Sequence, residues 1–204
     1  MGHDQFIKGG YLEYYMIKTR IIKEDDILEE YIEKYEKYSG FRLTKKFLEG
    51  TFLVRGFFDK TGELVGGHVV NKGPILRYIL ILPHSHRNIL NNYKIRPEDV
   101  VEECCTWIRP DIPEKYRLKI FLYIFFDTIL SNKRYFLVGT EIKKIKNVQE
   151  RAFKKKLYEG PCIVGDKECY CWIFYGTRWA LITGMFVELL RRYFNFYVIS
   201  RLSQ

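Results

Sequence analysis

The most regular part of the chain, residues 100–130, reads VVEECCTWIRPDIPEKYRLKIFLYIFFDTIL. Its opening, Val100–Ile108, is rich in Val, Cys, Thr and Trp, which predicts a β-strand. Pro110 and Pro113 then mark a loop, and a helix is predicted from about Glu114 to Leu130, because proline is tolerated at the start of a helix. That helix is apolar on nearly every side, so we expect it to be buried against a sheet.

The segments after residue 130 continue the alternation of strand and helix. A short strand is predicted over Tyr135–Gly139, followed by a basic amphipathic helix over Lys143–Lys156. This order predicts parallel strands joined by crossover helices. The residues expected to face inward from the basic helix are Ile145, Val148 and Ala152. The last predicted elements are strands over Pro161–Val164 and Glu168–Tyr175 and a helix over Thr177–Phe194.

The N-terminal half is predicted to add strands and one helix. Asp26 and Glu29 form a capping-box pattern that opens the helix, and Gly40 is typical of its end. The predicted strands of this half are Tyr11–Ile22, a hairpin of Thr51–Phe58 and Glu63–Val70, and a β-like run over Ile75–Leu82. All these elements predict an α/β (α+β) fold in a single domain over residues 1–204, a mixed central sheet with helices on both faces.

Composition and charge narrow the class of partner without naming it. The 204 residues are 47% hydrophobic and 29% charged, which excludes wholesale disorder. A net charge of +9 indicates an anionic partner: nucleic acid, a phosphorylated cofactor, an acidic carrier protein or a membrane surface.

The cysteines and the apolar stretches favour a cytoplasmic protein. Five cysteines without a CxxC pair indicate reduced thiols rather than a disulfide framework. The first ten residues lack the apolar region of a signal peptide. The apolar stretch Trp172–Leu190 contains Arg178 and Glu188, so we interpret it as protein core and not as a transmembrane segment.

Three segments of the chain carry a family resemblance. They are the hairpin 57–67, FFDKTGELVGG; the strand exit 108–112, IRPDI; and the strand, helix and ending that run from FLVG at 136–139 to KKLYEGP at 155–161. In this order and spacing they resemble the GNAT-like N-acyltransferase superfamily, and in particular its autoinducer-synthase-like branch. The likeness covers roughly residues 50–175.

The resemblance implies an acyltransferase that takes an acyl group from a coenzyme A or acyl-carrier-protein thioester and passes it to an amine. It places the thioester arm between two parallel strands just past Ile108, against the backbone N–H groups of Trp107 and Ile108. The other residues that it implies for binding the thioester are Arg109, Lys115, Tyr116 and Arg117. It also implies a tyrosine that protonates the leaving thiolate, at a position that matches Phe153 or, with a shifted alignment, Tyr158. The alternative is that Tyr158 only packs against its neighbours.

The sequence departs from the family pattern at the phosphate-binding turn. Members usually present a Gly-rich turn whose bare N–H groups meet the pyrophosphate. Here Glu114, Tyr116 and Leu118 stand where glycines are expected, and only Lys115 and Arg117 offer compensating charge. An arginine usual after the strand glutamate is also replaced, by Cys105 or Thr106. The fold is therefore compatible with changed or lost chemistry.

The predicted strand carries two adjacent carboxylates. Acyl transfer to an amine needs a base, an oxyanion donor and an acid. Neighbouring strand residues face opposite sides, so only one of Glu102 and Glu103 can face the substrate, and we favour Glu103 as the base. The alternative is that both lie at the exposed start of the strand. Cys104 and Cys105 are expected to be buried and not nucleophilic, and the Cys169-x-Cys171 spacing lacks a zinc pattern, so no metal is expected.

The strongest charge feature is the basic helix. Its cations are Lys143, Lys144, Lys146, Arg151, Lys154, Lys155 and Lys156. They form either a solvated face or a surface that captures an anionic donor. The second function left open is a non-catalytic module on the same scaffold that binds an acidic protein or nucleic acid through this helix. Nucleic acid is the less favoured partner, because no helix-turn-helix, zinc-finger or RNP-type motif appears.

Overall fold

The computed structural model describes residues 16–153, 155–187 and 190–191. The strands are β1 Lys18–Ile21, β2 Leu53–Phe58, β3 Leu64–Asn71, β4 Val100–Ile108, β5 Tyr135–Thr140, β6 Lys155–Val164 and β7 Lys167–Thr177. The helices are α1 Asp25–Ser39, α2 Lys45–Glu49, α3 Arg77–Leu80, α4 Ile89–Asn92, α5 Glu114–Leu130 and α6 Lys143–Phe153, with short 3-10 turns at His84–His86 and Pro97–Asp99. Residues 178–187 and 190–191 are also helical.

The strands form one seven-stranded sheet in the order β1-β2-β3-β4-β5-β7-β6. β4 and β5 are parallel, whereas β1 with β2, β5 with β7, and β6 with β7 are antiparallel. The predicted mixed α+β sheet is therefore confirmed, and so is the parallel pairing expected from the β-α-β-α order.

The described chain divides into two compact units. The first contains residues 16–49, 53–69 and 105–125, and the second contains 50–52, 70–104 and the remainder from 126 onward. The core of the first unit is the cluster Ile17, Phe57, Val65, Ile112, Ile120 and Ile124. The second unit buries Phe136, Leu137, Ile173 and Phe174 from β5 and β7. The prediction of a single domain over residues 1–204 stays a prediction.

The start of the first helix differs from the expectation. α1 begins at Asp25, after Glu24, and no side chain caps it, so the predicted capping box is wrong. Its end is as expected, because Gly40 adopts a left-handed φ of 76° and its N–H bonds to the Glu36 carbonyl. Of the strand predicted from Tyr11, the described part is β1, and residues 11–15 lie outside the described residues.

The β-like run predicted over Ile75–Leu82 is wrong, because Arg77–Leu80 form helix α3. The β4 strand and helix α5 have the bounds that were predicted. Helix α5 is less buried than expected, since Phe121, Phe126 and Leu130 are exposed.

The basic helix also differs in extent and in one inward residue. α6 ends at Phe153, and β6 already begins at Lys155. Val148 and Ala152 are half-buried as expected, but Ile145 is exposed. The helix predicted over 177–194 is helical at 178–187 and 190–191, and residues 192–194 lie outside the described residues. Within the part of the chain that the structure describes, no helix is long and apolar enough to cross a membrane.

Candidate functional site

The pairing of β4 with β5 stops halfway along β4. Four residue pairs join the two strands, from Val100–Tyr135 to Glu103–Val138. β5 continues for two residues, Gly139 and Thr140, which pair with β7. β4 itself continues to Ile108, five residues past the last of these register pairs.

The backbone of β4 changes conformation where this pairing has ended. Cys105 has a φ of 55°, a left-handed conformation that non-glycine residues rarely adopt within a strand. The Tyr31 hydroxyl donates a buried hydrogen bond of 2.7 Å to the Cys105 carbonyl oxygen. Cys104 and Cys105 are both buried, in agreement with the expectation that they pack as small apolar residues. Tyr31 therefore holds an irregularity in β4 that the sequence did not indicate.

The residues after this irregularity are held by aromatic packing. The Trp107 ring is stacked on Tyr38, with centroids 5.3 Å apart and planes within 10°, and it meets Tyr31 edge-on at 6.1 Å. The buried Trp107 Nε1 has no hydrogen-bond partner among the described residues. The Trp107 carbonyl oxygen lies 3.1 Å from the position of a Cβ added to Gly66, so glycine permits the close approach of these backbones.

The backbone N–H groups of Trp107 and Ile108 point to opposite edges of β4. The Arg109 N–H donates to the Val65 carbonyl oxygen at 2.9 Å. Because N–H groups of successive strand residues point to opposite edges, the Ile108 N–H points away from Val65, whereas the Trp107 N–H points toward the same edge as that of Arg109. The geometry therefore favours Ile108 over Trp107 as a backbone donor to a ligand.

Arg109 lies in a network of carboxylates. Its Nη1 is 2.7 Å from Glu63 Oε2, its Nε is 2.7 Å from Asp111 Oδ1, and its Nη2 is 3.7 Å from Asp59 Oδ2. Lys34 Nζ also contacts Glu63, at 2.9 Å. The hydrogen bond from Lys34, followed by that from Arg109, lowers the pKa of Glu63 against the opposing effect of burial. Since three carboxylates already surround Arg109, its charge is largely compensated within the protein.

The first turn of α5 presents Lys115, Tyr116 and Arg117. The Arg117 Nε donates to the Ile112 carbonyl oxygen at 2.8 Å, and its Nη2 donates to the Pro110 carbonyl oxygen. Lys115 is exposed, with Nζ 4.7 Å from the centroid of the Tyr116 ring, and Tyr116 packs against the core of the first unit. Neither cation forms an ion pair with any carboxylate that the structure describes, so both charges remain available to an anion.

Glu102 has a structural role, because its carboxylate binds backbone N–H groups of helix α3. It is fully buried, and its carboxylate accepts bonds from Asn71 Nδ2 and from the backbone N–H groups of Arg77 and Tyr78, at 2.6, 2.6 and 3.0 Å. Burial raises the pKa of Glu102, and the three donors oppose that rise. The carboxylate thus satisfies the N–H groups that open α3, which explains why this apolar stretch forms a helix.

Glu103 lies on the opposite side of β4 and is half-buried. Its carbonyl oxygen accepts a bond of 3.1 Å from the Tyr78 hydroxyl, which is also 3.0 Å from the Gly139 carbonyl oxygen. A Cβ at Gly139 would lie 2.6 Å from the Tyr78 ring, so this arrangement needs glycine there. Sequence reasoning missed Tyr78, because it lies within the run that was predicted as a strand.

Tyr158 is buried and its hydroxyl has a partner. The hydroxyl donates to the Pro161 carbonyl oxygen at 2.7 Å, and the ring meets His86 edge-on at 5.1 Å. Burial, and then the neighbouring Cys171 and Cys162, raises the pKa of Tyr158. Of the predicted site residues, Glu103 and Tyr158 belong to the second unit, whereas the segment from Trp107 to Arg117 belongs to the first.

No group of three or more His, Cys, Asp or Glu side chains within the described residues could hold a metal ion. This finding covers the Cys169-x-Cys171 spacing and the histidines His84 and His86.

Comparison with known proteins identifies the fold. No protein-family model matches the chain, and no curated protein matches it in sequence. The solved structure of FeeM, an N-acyl amino acid synthase from uncultured soil microbes, aligns with a TM-score of 0.61 at 14% identity, over 80% of this chain and 91% of FeeM. A protein of Acinetobacter baylyi assigned as an acetyltransferase aligns with a TM-score of 0.53 at 14% identity, over 80% and 93%. MesI, a CoA-dependent acyl-homoserine lactone synthase, aligns with a TM-score of 0.49 at 14% identity, over 82% and 93%.

The chain therefore has the GNAT-like N-acyltransferase fold, as the sequence resemblance predicted. At 14% identity the likeness establishes the fold and leaves the activity to be argued from the residues of this chain.

Proposed function

We propose that the protein is an N-acyltransferase that moves an acyl group from a coenzyme A or acyl-carrier-protein thioester to an amine. The observation that carries this proposal is the end of the β4–β5 pairing at Glu103, followed by the irregularity at Cys105. A strand that continues past the end of its register with a neighbour can bind an extended ligand along that edge.

The donor would lie along the end of β4 and the start of α5. The Ile108 N–H would bind the thioester carbonyl, beside the buried Trp107. Lys115 and Arg117 would contact the phosphates, because their charges are not compensated by described carboxylates and they flank the first turn of a 17-residue helix. Tyr116 would line the same turn. We assign Arg109 to holding the loop at residues 109–111, since three carboxylates already bind it.

Glu103 would act as the base, directly or through water. The amine loses a proton to the Glu103 carboxylate and its nitrogen attacks the thioester carbonyl carbon. The Ile108 N–H stabilises the resulting oxyanion. The carbon–sulfur bond then breaks, and the thiolate takes a proton from Tyr158, whose hydroxyl must exchange its bond to Pro161 for one to the sulfur. The net products are an amide and a free thiol.

The proposal is tested by binding and by turnover. Coenzyme A and long-chain acyl thioesters should raise the melting temperature, since a ligand at one hundred times its Kd stabilises a protein by about 2.7 kcal/mol. Arg117→Glu should abolish this shift. The matched control is Lys144→Glu, an equal charge change at an exposed residue of α6, which should keep the shift for coenzyme A.

Turnover is followed as thiol release from acyl thioesters in the presence of a panel of amines. Wild-type protein should release thiol only when an accepted amine is present. The absence of any thermal shift with coenzyme A, acyl-coenzyme A and acylated carrier protein would overturn the proposal. A shift with acylated carrier protein alone, lost in Lys144→Glu, would identify the carrier protein as the donor.

A second candidate is the non-catalytic module, favoured by the exposure of the basic face on α6 and the start of β6. Lys143, Lys144, Arg151, Lys155 and Lys156 are all exposed. Two ion pairs reduce the charge of this face, Lys146 with Glu150 and Lys156 with Glu159. Such a face would give salt-dependent binding to RNA or DNA in an electrophoretic assay, weakened by charge reversal at residues 154–156. Binding of this kind without any thioester shift would favour the second candidate.

A further inference from the structure

The β6–β7 hairpin brings three thiols together. In the strand register Cys162 is directly opposite Cys169, and Cys171 is opposite Gly160. The Sγ atoms of Cys162 and Cys169 are 3.0 Å apart. The Cys171 side chain is also close enough to Cys162 to interact with it electrostatically. All three are free thiols in this structure, and none of them takes part in the proposed acyl transfer.

We propose that Cys162 and Cys169 are the site of a reversible disulfide that joins β6 to β7 near the tip of the hairpin. Directly opposed residues of an antiparallel pair have Cα atoms about 4.5 to 5.5 Å apart. A disulfide spans Cα separations of about 4.4 to 6.8 Å, so the bond can form without separating the strands. The two sulfur atoms already face each other at 3.0 Å, and bond formation requires only that they move to the S–S bond length of about 2 Å.

The bond forms by exchange with a small-molecule disulfide such as oxidised glutathione. Cys169 is half-buried whereas Cys162 is 1% exposed, so Cys169 reacts first. Its thiolate attacks one sulfur of oxidised glutathione, which gives a mixed disulfide and releases one glutathione thiol. The Cys162 thiolate then attacks the Cys169 sulfur and releases the second glutathione. Two protein thiols are oxidised to one disulfide, and one oxidised glutathione is reduced to two glutathione molecules.

Burial raises the pKa of both Cys162 and Cys169 to about 12, so the thiolates are scarce at neutral pH and the exchange is slow. Cys171 is the competing partner. It is two residues from Cys169 on the same strand face, a Cα separation of about 6.4 to 6.8 Å that lies at the upper limit for a disulfide, whereas the opposed pair lies within the range. Its contact with Cys162 makes a Cys162–Cys171 bond the alternative that an experiment must distinguish.

The experiment maps disulfides in the full-length protein after long incubation with oxidised glutathione. Free thiols are blocked under acid quench, and the protein is digested with trypsin, which cuts after Lys156, Lys167 and Arg178. A bond between Cys162 and Cys169 then joins peptide 157–167 to peptide 168–178, and fragmentation of the second peptide locates the bonded sulfur. Treatment with a reductant should separate the two peptides.

We expect the joined peptides to be bonded through Cys169, while Cys104 and Cys105 stay reduced in the core. Cys169→Ser should abolish the joined species, and the matched variant Cys171→Ser should retain it. A bond through Cys171 in the wild-type protein, a bond within peptide 168–178, or separate peptides at every glutathione ratio would each overturn the proposal. The location of the disulfide in the wild-type protein tests the proposal even if a variant folds poorly.

Discussion

The two halves of β4 hold their polar groups in different ways. In the first half, which is paired with β5, Glu102 is fully buried and bound by three N–H donors from the segment 71–78. After the second half, Arg109 is held by the buried Asp59 and by Glu63 and Asp111, whose side chains are about half exposed. Buried polar groups cost much when their partners are lost, whereas exposed ion pairs contribute little. The polar group of the first half is therefore the more costly to disturb, and the second half is where the proposed donor would bind.

The adjacent carboxylates show the same contrast most directly. Glu102 and Glu103 are neighbours on one strand and face opposite sides, and the Glu102 carboxylate accepts two backbone N–H bonds from helix α3. Changes at Glu102 should thus affect stability, and changes at Glu103 should affect the proposed activity.

The largest effect is expected for Glu102→Ala. The substitution leaves two backbone N–H groups and the Asn71 amide without their acceptor inside the second unit, at a cost of about 1 to 3 kcal/mol for each group. We expect a loss of roughly 3 to 5 kcal/mol in the free energy of unfolding, measured by urea denaturation.

Glu103→Gln is the matched control for that variant. It keeps the size of a half-buried side chain, so the unfolding midpoint should change little. If Glu103 is the base, thiol release should fall by about a hundredfold or more. Equal losses of unfolding free energy in Glu102→Ala and Glu103→Gln would contradict the assignment of a structural role to Glu102 and a catalytic role to Glu103.

The elements around β4 show how far sequence reasoning reaches. β4 and α5 could be predicted with their bounds, because each has a long and consistent local pattern. α3 could not, since a short apolar run fits a strand or a helix equally well. Its N–H groups are satisfied by Glu102, which is 24 and 25 residues away in the sequence, and no local pattern reports such a contact.

The candidate site, too, could be predicted from the sequence only in part. Strand alternation predicted that Glu102 and Glu103 face opposite sides, but it could not tell which side is enclosed. The left-handed conformation of Cys105 could not be predicted from the local sequence, because no glycine occupies the position. It is stabilised by the hydrogen bond from the Tyr31 hydroxyl of α1. The charges of Lys115 and Arg117 were visible in the sequence, whereas the compensation of Arg109 required the position of the hairpin carboxylates.

A moderate effect is expected for Tyr31→Phe, which tests the irregular second half of β4. The variant removes the buried hydrogen bond to the Cys105 carbonyl oxygen and keeps the ring. We expect a loss of about 1 to 2 kcal/mol in unfolding free energy. Tyr38→Phe is the control, because the described contact of Tyr38 with Trp107 is ring stacking, which phenylalanine retains. A larger loss in Tyr38→Phe than in Tyr31→Phe would contradict the role given to the hydroxyl.

The smallest effect is expected from acidification, which tests the half-exposed Glu63 in the network around Arg109. The hydrogen bonds from Lys34 and Arg109 lower the pKa of Glu63, so this carboxylate stabilises the folded state above its ordinary pKa and loses that contribution as the pH falls through the lowered value. About half of the Glu63 side chain is exposed, so screening by solvent limits the contribution to less than about 1 kcal/mol. Between roughly pH 5 and pH 3, Glu63→Gln should therefore lose slightly less stability than the wild-type protein, and added salt should narrow the difference. Thermal melts of both proteins across this range measure it, and a difference as large as the one caused by Glu102→Ala would show that the network is not a weak surface feature.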